Sequence, residues 1–284
     1  MLEREEYVEQ AYLFRVLVER LPQDMPLQEL FRQVREELLA SSKLPMAVDF
    51  LRAELEHSGE FGSAMAKLSH YFAPFQTYVV QEAEDDRGRF DLLTALEILR
   101  AEALYRASNA SRQGIFLFQF ETLCRNRLKY DRGLKAIADD PLYDADWREW
   151  ILTVRREVGI IDIADLLYVR SEHFQQRRRI QAGGDLPPQK PVLFGEKEGK
   201  IALANRGKDP LFLFAALQRH LGYPIVPRLK PADQTPQLIP QLMRRVERLE
   251  SRLKMIEEEQ RDGLDITKFY GPQSPSLGGP PSAS

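Results

Sequence analysis

The sequence predicts a mainly α fold, read as a helical bundle or a two-unit helical-hairpin repeat. A small β-hairpin/helix appendage and a C-terminal coiled coil complete it. Three observations carry this prediction. Apolar residues recur at three- and four-residue steps through residues 1–182, with no convincing alternating run before residue 190. One stretch then matches another at nearly constant offset. Tyr71, Phe75 and Tyr78 recur 72 positions later as Tyr143, Trp147 and Trp150, while Gly88-Arg-Phe-Asp91 recurs 71 positions later as Gly159-Ile-Ile-Asp162, and Gly62 matches Gly133 at that same shift. Finally, Leu242, Val246, Leu249, Leu253 and Ile256 alternate steps of four and three, the signature of a heptad seam.

Residues 5–21 place Val8, Ala11, Tyr12, Val18 and Leu21 at helical spacing, closing at Pro22. A second helix follows Pro26, which suits a first turn because its missing N–H costs nothing there. Leu27, Leu30, Phe31, Val34 and Leu38 share its face. Met46–His57 resumes with Ala47, Phe50, Leu51 and Leu55 inward, and HSGEFG reads as a loop. In the first copy of the repeat, Tyr71, Phe75, Tyr78 and Val79 line one stripe, and Asp91 caps a helix bearing Leu92, Leu96, Leu99 and Ala103. A long helix after SNASRQG turns Phe116, Phe120, Leu123 and Cys124 inward. The second copy ends in Arg177-Arg178-Arg179, stopped by Ala-Gly-Gly.

GGDLPPQKP is a Gly/Pro linker. Val192–Phe194 and Lys200–Ala204, flanking GEKEG, read as the β-hairpin, and Asp209-Pro210 starts a helix that Gly222 ends. The chain is therefore expected to divide into a helical domain over 1–182, containing the repeat 71–104 / 143–174, and a linker, hairpin and helix over 183–230. A linker and coiled coil over 231–262 and a disordered tail over 263–284 follow.

In the seam, Val246 and Leu253 take position a, and Leu242, Leu249 and Ile256 take d. Arg245 and Arg252 fall at g, Glu250 and Glu257 at the following e, so both g–e pairs are attractive in a parallel arrangement. Val at a with Leu at d favours two strands. The strings RVERLE and RLKMIE resemble a pattern associated with parallel trimers, so the expected self-assembly is a dimer or a trimer.

Charge is unevenly spread. Residues His173–Lys230 hold eleven Lys and Arg against four Asp and Glu, and since the whole chain carries −3 the remainder carries −10. Arg177, Arg178, Arg179, Lys190, Lys200, Arg206 and Lys208 form the candidate patch for an anionic partner, nucleic acid among them. Cations are also favoured at a helix C-terminus without any ligand. The N-terminal MLEREEY runs straight into a helical pattern, the longest apolar run is Leu211–Leu217, and Cys124 stands alone. A cytoplasmic location away from the membrane is expected.

Patterns that could carry chemistry are incomplete. Glu54-x-x-His57 has the spacing of a di-iron ligand pair, but the other histidines do not repeat it. Gly195-Glu-Lys-Glu-Gly199-Lys200 has one residue too few between its glycines for a phosphate loop, and Ile201 follows the lysine. Cys124 reads as a buried, inert thiol. No catalytic, cofactor-binding or metal-ligating residue is assigned, and the expected function is a non-enzymatic scaffold or adaptor. A nucleic-acid-associated regulator using residues 173–230 is the alternative.

Overall fold

Among the described residues, five helices begin on a side chain that takes up an otherwise unpaired backbone N–H. Asp91, Ser111, Asp144, Asp162 and Asp209 accept from Thr94, Gly114, Trp147, Ala164 and Leu211 respectively. The computed structural model describes residues 2–23, 25–85, 90–182 and 190–228, then 243, 246, 248–250, 252–254 and 256. Its contacts separate two units, Met1–Leu229 and Lys230–Ser284.

The first unit is mainly helical. Its helices are α1 (Arg4–Arg20), α2 (Leu27–Glu37), α3 (Leu44–Ser58), α4 (Phe61–Lys67), α5 (Pro74–Glu84), α6 (Leu92–Ala107) and α7 (Arg112–Asn126). They continue as α8 (Tyr130–Ala138), α9 (Ala145–Glu157), α10 (Ile163–Val169), α11 (Glu172–Ala182), α12 (Glu196–Ala204) and α13 (Pro210–Leu221). Among the described residues, β pairing is limited to two isolated bridges, Val158 with Ile161 and Ser171 with Phe194.

Helix α7 is the centre. Gly114–Leu123 are buried without interruption, which makes it a core helix rather than an amphipathic surface one. Phe116 meets Trp147 and Trp150 from α9, while Phe120 meets Phe214 from α13 and Tyr130 from α8. Helix α1 lies along α6, and its carboxylates hold the turn between α2 and α3. Glu9 accepts from Leu39 N at 3.0 Å, and Glu6 from Lys43 N at 2.8 Å and the Tyr71 hydroxyl at 2.7 Å. Helix α12 packs on α10 and α11, and α13 on α7. Tyr105 OH donates to Leu221 O at 3.0 Å and Tyr223 OH to Glu121 at 2.8 Å, pinning the end of α13 to α6 and α7.

Asp91 and Asp162, the matched residues of the two copies, both stand at helix starts. Gly88 lies outside the described residues, whereas Gly159 adopts φ +87°, a conformation open to glycine. Gly62 and Gly133 both sit in short helices, at close approaches to α5 and to α5 with α7. The copies differ beyond the cap. The first continues as the single helix α6, while the second is broken at Ser171, where Leu193 and Phe194 donate backbone N–H groups to Arg170 O.

The expected β-hairpin is corrected: Glu196–Ala204 is helix α12, with Gly195 as its N-cap. Three features outweigh the hairpin reading. Glu196 and Lys200 form an i,i+4 ion pair at 2.5 Å, Glu196 and Glu198 favour the positive helix start, and Gly199 lets the helix approach Ser171. An added Cβ at Gly199 would lie 2.3 Å from the Ser171 hydroxyl, so the glycine serves a close helix contact and not a turn. Of the expected hairpin strands, only Phe194 makes a β pairing, as an isolated bridge to Ser171.

Two further readings change. HSGEFG is not wholly loop, because Phe61 and Gly62 open α4, where Glu84 from α5 accepts both of their N–H groups at 2.6 and 2.8 Å. On α1 the buried set includes Leu13, Phe14, Val16 and Leu17, while Val8 is exposed. The helix is covered by α6, α2 and α3, so a single narrow stripe misjudges it.

Candidate interaction surfaces

Burial divides the polar side chains of the first unit into those that hold helices together and those that face solvent. Arg106 Nε and Nη2 donate to Glu102 Oε1 at 3.2 and 2.9 Å, Nη2 also reaches Asp140, and Gln119 Nε2 donates to the same Glu102 oxygen at 2.7 Å. Tyr143 OH donates to Gln119 at 3.1 Å and the Asp140 carboxylate accepts from Leu142 N at 2.9 Å. The cluster ties α6, α7 and the α8–α9 turn together. Burial raises the Glu102 carboxyl above its ordinary range, opposed by the Arg106 guanidinium.

The sequence patterns with chemical overtones resolve into structural roles. Glu54 pairs with Lys67 and His57 is exposed. Gly195 caps α12 and Lys200 pairs with Glu196. The Cys124 thiol is partly buried and pushed up to about 11, chiefly by burial, which disfavours the thiolate that nucleophilic chemistry needs.

No protein-family model matches this chain, and neither a curated protein nor a solved structure matches it either. Three surfaces stand out among the described residues.

The second unit presents the first of these. Met243, Val246, Arg248–Glu250, Arg252–Lys254 and Ile256 are helical. Val246, Leu249, Leu253 and Ile256 are 51–59% exposed. Glu250 and Arg252 are exposed beside them. Leu242, Arg245 and Glu257 of the expected seam lie outside the described residues, as does the expected tail over 263–284.

The basic candidates do not form one set. Arg177 and Arg179 are exposed and Arg178 partly buried near the end of α11, and Lys190 and Lys208 are exposed. Lys200 is engaged by Glu196, and Arg206 by Asp165 while lying over the Tyr168 ring. Those two pairings lower the local positive potential. Among the described residues no helix is long and apolar enough to cross a membrane.

A third surface has no counterpart in the sequence reading. Phe120, Cys124, Tyr130, Val158–Ile163 and Pro210 line an apolar pocket of about 430 Å³. Ile160 at its edge is 83% exposed, and Phe212, two residues beyond Pro210, is 63% exposed. The only sequence signal was the apolar pair Ile160-Ile161 beside a glycine, which also reads as ordinary helix punctuation.

Proposed function

We propose that this chain is a non-enzymatic cytoplasmic scaffold whose copies are joined by a parallel coiled coil over residues 238–260. The observation that carries the reading is the exposure of Val246, Leu249, Leu253 and Ile256 on helical residues, at heptad positions. Four apolar side chains on one narrow seam lose free energy to water unless another helix covers them. The flanking Arg245–Glu250 and Arg252–Glu257 pairs are attractive only when the partner helix is a parallel copy in register. Dimer and trimer both satisfy the seam.

The test is light scattering on the full chain and on a Leu249→Asp, Leu253→Asp variant. The wild type is expected to be oligomeric at tens of micromolar and the variant to be a folded monomer, because two charges per chain in the seam cost more than so short an interface supplies. A monomeric wild type refutes the reading.

The two copies 71–104 and 143–174 are further inferred to be duplicated helix–turn–helix units, supported by the matched Asp91 and Asp162, each at a helix start. A second reading takes residues 173–230 as a nucleic-acid surface, supported by exposed Arg177, Lys190 and Lys208. Its test is electrophoretic mobility at low salt. Arg177→Glu, Arg178→Glu and Arg179→Glu together should abolish a shift, and no shift with the wild type ends it.

A further inference from the structure

Beside the ionic cluster of α6 lies a pocket of about 310 Å³, bordered by the start of α1, the α6–α7 turn and α7. Arg106 closes its inner end. The Arg106 side chain is 2% exposed, yet its hydrogen bonds to Glu102 and Asp140 use only Nε and Nη2. Nη1 has no partner and is not sealed from water, so it is the guanidinium nitrogen open to the pocket. Tyr7 lines the same space, its ring centroid 5.9 Å from the Arg106 guanidinium carbon. Arg4 and Asn109 are exposed at the rim, and among the described residues neither side chain has a hydrogen-bond or ion-pair partner. The start of α1 adds to this set. Glu3 at its N-cap makes no side-chain cap bond, so the first backbone N–H groups of this 17-residue helix are uncapped. The carboxylates of the first turn are directed elsewhere, Glu6 accepting from Lys43 N and the Tyr71 hydroxyl, and Glu5 from Ser41 at 3.5 Å.

We propose that this pocket binds a small monocarboxylate with a short, branched apolar end. The carboxylate accepts from Arg106 Nη1 at the inner end and from Arg4 and Asn109 at the rim, while the apolar end lies against Leu2 and Ile115. Three features select this ligand class. Arginine offers donors alone, so two arginines on one pocket call for acceptor oxygens. The charges of Arg4 and Arg106 are balanced by Glu102 and Asp140 behind the Arg106 guanidinium, so the surroundings favour one added negative charge over the two of a phosphate. The pocket lies at the small end of the range for ligand sites and has an apolar wall, which suits a short branched acid better than a bare inorganic ion. None of these residues belongs to the heptad seam, so the site stands or falls apart from the coiled coil.

The experiment is a saturation-transfer NMR titration of the full chain with isovalerate, its neutral isostere isovaleramide, and inorganic phosphate. Isovalerate is expected to bind saturably with a Kd of about 1 mM, as befits so few atoms. Isovaleramide should bind at least about fivefold more weakly, because its oxygen lacks the charge that strengthens a bond to arginine. Phosphate should bind more weakly than isovalerate. Arg4→Glu and Asn109→Gly should each weaken isovalerate about threefold or more. Both should leave the melting temperature unchanged, since the two side chains are exposed and unpartnered, and glycine keeps the left-handed backbone of residue 109 at φ 58°. Failure of isovalerate to saturate by roughly 20 mM overturns the proposal. So does equal binding of the amide, tighter binding of phosphate, or isovalerate binding that neither substitution weakens.

Discussion

Replacing Arg106 by alanine tests whether the ionic cluster at α6 organises the core. The Arg106 side chain is 2% exposed, Glu102 0% and Asp140 2%, so its removal leaves two carboxylates with neither water nor a cation. Taking one partner from a buried pair costs about 3–5 kcal/mol. At about 3 °C per kcal/mol for a unit of this size, 4 kcal/mol lowers the melting temperature by about 12 °C. Glu102→Gln should behave differently. The amide oxygen still accepts from Arg106 and Gln119, Asp140 still neutralises the guanidinium, and Glu102 Oε2 had no partner to lose. Its cost should stay near or below about 1 kcal/mol.

The pH dependence supplies an independent sign. Burial holds the Glu102 carboxyl above its unfolded value, so the folded chain binds this proton more tightly than the unfolded one. Stability from this group is therefore greatest at low pH and declines as pH rises from about 4.3 through the folded pKa. Arg106→Ala removes the group that opposes the shift, so its penalty should be larger at pH 8 than at pH 5. Thermal unfolding followed by circular dichroism measures both. An Arg106→Ala loss under about 1 kcal/mol, or a Glu102→Gln loss as large as that of Arg106→Ala, refutes the reasoning.

Other substitutions probe the remaining packing. Gly114→Ala places a Cβ 2.1 Å from the Tyr105 hydroxyl, forcing it from Leu221 O, and should cost about 1–3 kcal/mol by urea titration. A Gly114→Ala chain as stable as the wild type would mean that this latch contributes nothing. Glu84→Ala removes the acceptor for Phe61 N and Gly62 N and should cost about 1–2 kcal/mol, with amide exchange accelerated at the start of α4. Cys124, with its thiol pushed up to about 11, should alkylate at pH 8 at least about tenfold more slowly than free cysteine, its much smaller thiolate fraction being only partly offset by the greater nucleophilicity of a more basic thiolate. Equal rates would show that the thiol is not shielded.

The helical class was legible because long amphipathic segments carry their own period. On α2, Leu30, Phe31 and Val34 are buried as their spacing predicts. On α7 the period points to one face, but the helix is buried on all sides, a fact set by what surrounds it. Helices α4 and α12 were illegible for a related reason. Each is short, and each contains a glycine that local propensity counts as a cost of about 1 kcal/mol. What surrounds them, Glu84 accepting at the start of α4 and Ser171 closely approached by Gly199 of α12, comes from elsewhere in the chain.

The same distinction separates the surfaces. A heptad seam declares itself in one dimension, because the repeat and its flanking charges lie along one helix. The pocket lined by Phe120, Cys124, Tyr130, Val158–Ile163 and Pro210 is assembled from four segments far apart in the chain, with Asp162 also joining the α9–α10 turn to Gly207. In the sequence, Ile160 and Phe212 are indistinguishable from core residues, and only their exposure in the folded unit separates them. The basic segment errs in the opposite direction. Its surplus of charge is legible along the chain, but the carboxylates that take up Lys200 and Arg206 are fixed by the fold, and one of them, Asp165, lies outside that segment altogether. A charge tally therefore overstates the free positive surface, as a hydropathy tally understates the free apolar one.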